Sequence, residues 1–149
     1  MVRHPIPLNG KIVFDHLDER LFEVLQPPKW MAKIIRNDGV EQGDEIWVKL
    51  LFPIPGLWKT QIIKRDVVGL FFTDESKAQL PIGMRYWKHI HRVVHVGENS
   101  CRIEEDIEWE SSNHFLGFFL NIGFRLMMTG RRKMYQKYFE KIAFTLDNS

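Results

Sequence analysis

The chain has 149 residues, 44% of them hydrophobic, which is enough for one domain with a real core and too few to expect two. Its formal net charge of +2 is too small to make nucleic acid the default partner. Cys101 is the sole cysteine, so an internal disulfide and a cysteine-built zinc site are both excluded, and a reducing cytoplasm is the expected compartment.

The first residues, Met1 to Pro7, lack the continuous apolar core of a secretory signal, so the chain is expected to start as a mature protein. Leu8 to Phe14 reads as a short first strand. Asp15 to Leu25 carries Leu17, Leu21, Val24 and Leu25 at helical spacing and stops at Pro27-Pro28, which predicts one small helix or two half-helices. Trp30 to Arg36 reads as extended, and Asn37-Asp38-Gly39 as a turn.

Strands are then predicted at Asp44 to Phe52, Leu57 to Arg65, Val67 to Thr73, Arg85 to Val96 and Ser100 to Glu110, with Pro53-Ile54-Pro55-Gly56 forcing the first reversal. Ser112 or Asn113 can cap a long C-terminal helix running to about Ala143, with Gly117, Gly123 and Gly130 as candidate breaks. Phe115 to Met128 is almost wholly apolar, but Asn121 and Arg125 interrupt it and it falls short of the ~20 residues that span a bilayer. No stable membrane insertion is expected.

The most informative stretch is the alternating pair Tyr86 to Val93 and Cys101 to Trp109. A three-residue turn at Gly97-Glu98-Asn99, with Asn99 left-handed, sets Val96 opposite Ser100, and then Val93 opposite Ile103, His91 opposite Glu105, and Trp87 opposite Trp109. One face then carries Trp87, His89, His91, Val93, Ile103, Glu105, Ile107 and Trp109. The other is charged, so the first is the inner face. Such a sheet needs a cover, and the long helix supplies it with a stripe of Met127, Gly130, Met134, Tyr138 and Ile142, widened by Met128, Arg131, Tyr135 and Phe139.

With these elements in place the chain resembles the START-like, helix-grip (SRPBCC) ligand-binding superfamily, particularly bacterial relatives of the polyketide cyclase/dehydrase and coenzyme Q-binding group. The matching residues are Pro53-Ile54-Pro55 through Trp58, Phe71-Phe72-Thr73-Asp74-Glu75, Trp87-Lys88-His89-Ile90-His91, Glu105-Asp106-Ile107-Glu108-Trp109 and the region of Arg131. The group often has an aspartate at the place of Glu105 and a tyrosine at that of Trp109, and Leu80 to Met84 replaces its Gly-Pro-Phe approach to the tryptophan. The resemblance implies an α+β fold in which a curved antiparallel sheet wraps a long C-terminal helix, enclosing a deep cavity for hydrophobic small molecules.

His91 with Glu105 is readable as a general acid/base dyad, with His89 beside it, or as a cross-strand polar pair that satisfies itself. His89, His91 and Glu105 also have the ligand types of a mononuclear metal site. His95 lies near the turn and His114 beyond the strand, so no third histidine completes it, and no metal is expected. Asp74-Glu75 at a strand end is readable as orienting a polar head at the cavity mouth, but solvated loop is the favoured reading, and the cluster of Arg131, Arg132, Lys133, Lys137 and Lys141 reads as a solvated helix end. Trp47, Trp58, Trp87 and Trp109, with Phe72, Phe119, Phe124, His89, Met127 and Met134, are the expected cavity lining, in a pocket of roughly 300 Å³ or more.

The function expected from this is binding of a lipid, isoprenoid or polyketide-like aromatic in the cavity. The alternatives are a cyclase/dehydratase-type enzyme using His91 and Glu105, and an interaction protein that docks Phe115 to Leu120 on a partner or membrane surface. No phosphate loop, dinucleotide fingerprint or nucleophile constellation points to a cofactor.

Overall fold

The computed structural model describes residues 1–52, 55–76, 80, 81 and 83–148. The expected reversal at Pro53-Ile54, and Ile82 of the stretch leading to Trp87, lie outside the described residues. The elements are β1 (Val2–Ile6), α1 (Gly10–Asp15), α2 (Glu19–Leu25), β2 (Ala32–Asn37), β3 (Glu45–Leu50), β4 (Gly56–Asp66), β5 (Phe71–Ser76), β6 (Met84–Gly97), β7 (Ser100–Ser111) and α3 (His114–Asp147). Among the described residues seven strands form one antiparallel sheet in the order β1-β7-β6-β5-β4-β3-β2. This is the expected α+β helix-grip architecture, a curved sheet with the long helix packed across it.

The N-terminal reading is corrected. Leu8 to Phe14 is not a strand: Asn9 caps α1, its side-chain oxygen accepting from the Lys11 amide at 2.9 Å, while the strand lies earlier at Val2–Ile6. Pro5 argues against a strand in sequence, but β1 is at the sheet edge, where a residue without an N–H costs nothing on the open side. Two half-helices are present, α2 being capped by Asp18, which accepts from the Leu21 amide at 3.0 Å. The third predicted strand starts later, at Phe71, because Asp66 accepts from the Gly69 amide at 2.7 Å and Leu70 takes φ 52°, folding 67–70 into a turn.

The β6–β7 register is the predicted one through the site: Val93 faces Ile103, His91 faces Glu105 and Trp87 faces Trp109. At the turn the structure differs. Gly97 rather than Val96 stands opposite Ser100, the extra residue forms a bulge, the loop is Glu98-Asn99, and Asn99 is not left-handed. A Cβ on Gly97 would lie 2.8 Å from the Ser100 hydroxyl, so a larger residue there would make that side chain rotate away. Further bulges near Ile35, Ile63 and Arg85 bend the sheet.

The helix α3 runs unbroken through Gly117, Gly123 and Gly130, and its buried ridge is Met128, Tyr135 and Phe139. Tyr135 and Phe139 join Ile6, Phe14, Leu21, Phe72 and Ile103 in the main core, whereas Met128 packs with Leu80, Met84 and Trp87 in a second cluster. Met134, placed on the stripe in sequence, is exposed, as are Phe115, Phe118, Phe119, Ile122 and Leu126 of the first half. Among the described residues no helix is long and apolar enough to cross a membrane.

Candidate functional site: a polar wall in an apolar cavity

Between sheet and α3 lies a cavity of about 170 Å³. Its apolar surface comes from Phe22 and Leu25 of α2, Ile34 of β2, Ile46, Val48 and Leu50 of β3, Trp58 of β4, Trp87 of β6, and Met127 and Met128 of α3. Its polar wall is Asp74, His89, His91 and Arg131, with Thr60, and the half-buried Gln26 and exposed Lys33 add polar groups elsewhere in the lining. The volume is below the expected 300 Å³, because Trp58 stands edge-on to Trp87 at 4.7 Å and Phe124 fills the space behind both rings.

Alternation places the wall. In β5 and β6, Phe72 pairs with His91 and Asp74 with His89, so these four side chains share the inner face. Asp74 is therefore 7% exposed and accepts from the Trp87 indole N–H at 3.3 Å, which corrects its reading as solvated loop. Phe72 lies behind the site rather than in its lining, stacked on His91 with ring centroids 4.4 Å apart.

Glu105 sits under this wall and is 1% exposed. Its Oε2 accepts from His4 Nε2 at 2.9 Å, and its Oε1 from Arg131 Nη1 at 2.9 Å and Tyr135 Oη at 3.0 Å. Burial alone would raise its pKa, but the His4 hydrogen bond and the charge of Arg131 outweigh it, helped by His89 and His91, and hold the carboxyl well below the usual range. Tyr135 moves the opposite way: burial, then the Glu105 charge, pushes its phenol up, so it stays a donor.

The His91–Glu105 dyad expected from sequence is therefore corrected in its bonding. The two are cross-strand neighbours, but His91 Nδ1 is 3.8 Å from Oε1, too far for a hydrogen bond, and that oxygen is occupied by Arg131 and Tyr135. His89 and His91 lie against each other, ring centroids 3.9 Å apart. Burial, reinforced by His91 and opposed by Asp74 and Glu105, brings the His89 pKa down to about 3, so this imidazole is neutral at ordinary pH.

Of the aromatic and methionine residues expected to line the cavity, Trp58, Trp87 and Met127 do so. Trp47 does not: it projects from the outer face, its ring under Lys59 Nζ at 3.9 Å and its indole N–H donating to Glu45 at 2.9 Å. Trp109 and Phe124 pack on each other behind the cavity, and Phe119 and Met134 face outward. Arg131 is not part of a solvated helix end, since it turns inward to Glu105.

The sequence reading overlooked His4, whose strand was not recognised, ranked a polar-head role for Asp74 below solvated loop, and left Arg131 and Tyr135 without a role at the site. Parity with Phe72 was the available signal for Asp74. The spacing of Met128, Arg131, Tyr135 and Phe139 was the signal for the helix residues.

No family model and no curated protein matches the chain in sequence. Solved structures match its fold. Norcoclaurine synthase from Thalictrum flavum superposes with a TM-score of 0.70 over 95% of this chain and 94% of that one, at 16% identity. The protein XoxI from Bacillus cereus gives 0.65 over 95% of each chain at 12% identity. The di-domain ARO/CYC BexL, from the BE-7585A biosynthetic pathway, gives 0.62 over 91% of this chain and 44% of that one, at 8% identity. The fold is thus START/Bet v 1-like.

Proposed function

We propose that the chain binds a small hydrophobic molecule, an aromatic one with a polar substituent, in the cavity between the sheet and α3. The observation that carries this is the pairing of a mostly apolar lining with a polar wall of Asp74, His89, His91 and Arg131. A volume of about 170 Å³ favours a small ring system over a long-chain lipid or isoprenoid. A similar fold holding small aromatics supports the same choice: the Thalictrum flavum enzyme has been solved in complex with dopamine and hydroxybenzaldehyde.

A second reading is catalysis of the cyclase or dehydratase type on such a guest. It is favoured by His91, whose imidazole lines the cavity beside Asp74, with a 3.7 Å gap from Nε2 that a proton-transfer contact has to shorten. Here Asp74 replaces Glu105 as the carboxylate beside the histidine.

Mass spectrometry of small molecules released from natively purified protein tests the binding. A stoichiometric aromatic compound is expected, and its binding, followed by tryptophan fluorescence, should be lost in Thr60→Phe, which fills the cavity from β4. Turnover of that compound would add the second reading. Protein that releases nothing, and whose fluorescence responds saturably to no phenol or aromatic aldehyde, would overturn the proposal.

A further inference from the structure

Asp74, His89 and His91 each offer one ligand atom, and these atoms lie within 4.8 Å of one another. His89 Nδ1 and His91 Nε2 stand 3.7 Å from the same oxygen, Asp74 Oδ2. This is too long for hydrogen bonding, so the three groups converge without satisfying each other. Two ligands about 2.1 Å from a tetrahedral ion stand about 3.4 Å apart, so a small contraction would bring all three into coordination.

The far nitrogens, His89 Nε2 and His91 Nδ1, both lie 3.8 Å from Glu105 Oε1. Among the described residues His89 Nε2 is buried with no hydrogen-bond partner. At that distance neither far nitrogen is hydrogen-bonded to Glu105, whose oxygens are taken by His4, Arg131 and Tyr135. Trp87 holds Asp74 by its other oxygen, Oδ1, leaving Oδ2 for the ion.

We propose that Asp74, His89 and His91 bind one divalent transition-metal ion, such as zinc, with its remaining coordination positions turned to the cavity. Three protein ligands with open positions distinguish reactive zinc sites from structural ones. Sequence reading, which expects no metal, pairs the histidines with Glu105. That residue is instead saturated by His4, Arg131 and Tyr135.

The test uses the full chain, stripped with a chelator and titrated near neutral pH with zinc chloride alone by calorimetry, and with cobalt chloride by visible absorption. One ion per chain is expected, at micromolar affinity or tighter. Cobalt should give the intense visible bands of a four- or five-coordinate nitrogen-ligated ion and quench the tryptophan fluorescence, because Trp87 touches Asp74. Asp74→Asn and His91→Gln should each weaken zinc binding by about 100-fold or more, and His114→Gln, at an exposed position, should not. Wild-type protein that takes up no zinc, or gives only the weak spectrum of hydrated cobalt, would overturn the proposal whether or not the variants fold. Equal losses in His114→Gln and Asp74→Asn would also overturn it. No organic guest is needed, so the outcome is independent of guest binding.

Discussion

Arg131 donates from α3 to Glu105 of β7 at 2.9 Å, tying the C-terminal helix to the sheet through a carboxylate with no exposed surface. The same carboxylate gathers Tyr135 from α3 and His4 from β1. Removing one partner of a buried pair leaves an uncompensated charge, which costs about 3 kcal/mol or more. Glu105→Gln keeps the shape and removes the charge, and should lose about that much in urea denaturation. Tyr135→Phe, which removes one of several donors, should lose about 1 kcal/mol. If Glu105→Gln costs no more than Tyr135→Phe, the carboxylate is not the anchor.

The pH dependence of stability has a defined sign. The His89 pKa falls from 6.5 to about 3 on folding, chiefly through burial. The unfolded chain therefore binds more protons between those values, and stability drops as pH falls through that window, by up to about 1.4 kcal/mol per pH unit. Glu105 adds to this at lower pH, since its depressed pKa contributes stability that is present above 4.5 and lost as pH falls below it. Denaturation midpoints should decline from about pH 6.5 downward, and His89→Gln should flatten the upper part of the decline. An unchanged slope in that variant would remove His89 from the explanation.

The two halves of α3 should differ in local stability. Phe115 is 74% and Phe118 63% exposed, whereas Tyr135 and Phe139 are buried in the main core. Amide exchange is expected to be faster over 115–123 than over 135–142, and a cavity guest should slow it if the first half closes over the pocket as a lid. Exchange that is uniformly slow and insensitive to a guest would leave the segment as an ordinary helix.

What was legible in the sequence is what strict alternation encodes. The β6–β7 register and the inward set of Trp87, His89, His91, Val93, Ile103 and Glu105 follow from parity, because a slip by one residue would bury Lys88 and Arg92. Bonding within the site was not legible. Glu105 chooses His4, Arg131 and Tyr135 over His91 because edge strand and helix bring donors closer than the strand alongside, and pairwise patterns carry no such distances. The same holds for the cavity, whose size depends on how Trp58, Trp87 and Phe124 interlock.

Trp47 and Trp87 make the point testable. Both sit in apolar strands with period two, yet Trp87 lines the cavity and Trp47 lies outside it between Arg36 and Lys59. Neighbouring residues decide: Ile46, Val48 and Leu50 line the cavity, so Trp47, of opposite parity, must face out. An aromatic guest should therefore bind Trp47→Phe as it binds the wild type. Trp87→Phe loses the indole N–H to Asp74 and part of the contact surface, which should weaken binding by about tenfold, a difference of about 1.4 kcal/mol. Calorimetric titration of both variants with the same guest reads this directly, and a loss at Trp47 equal to that at Trp87 would mean that the guest binds on the outer face of the sheet.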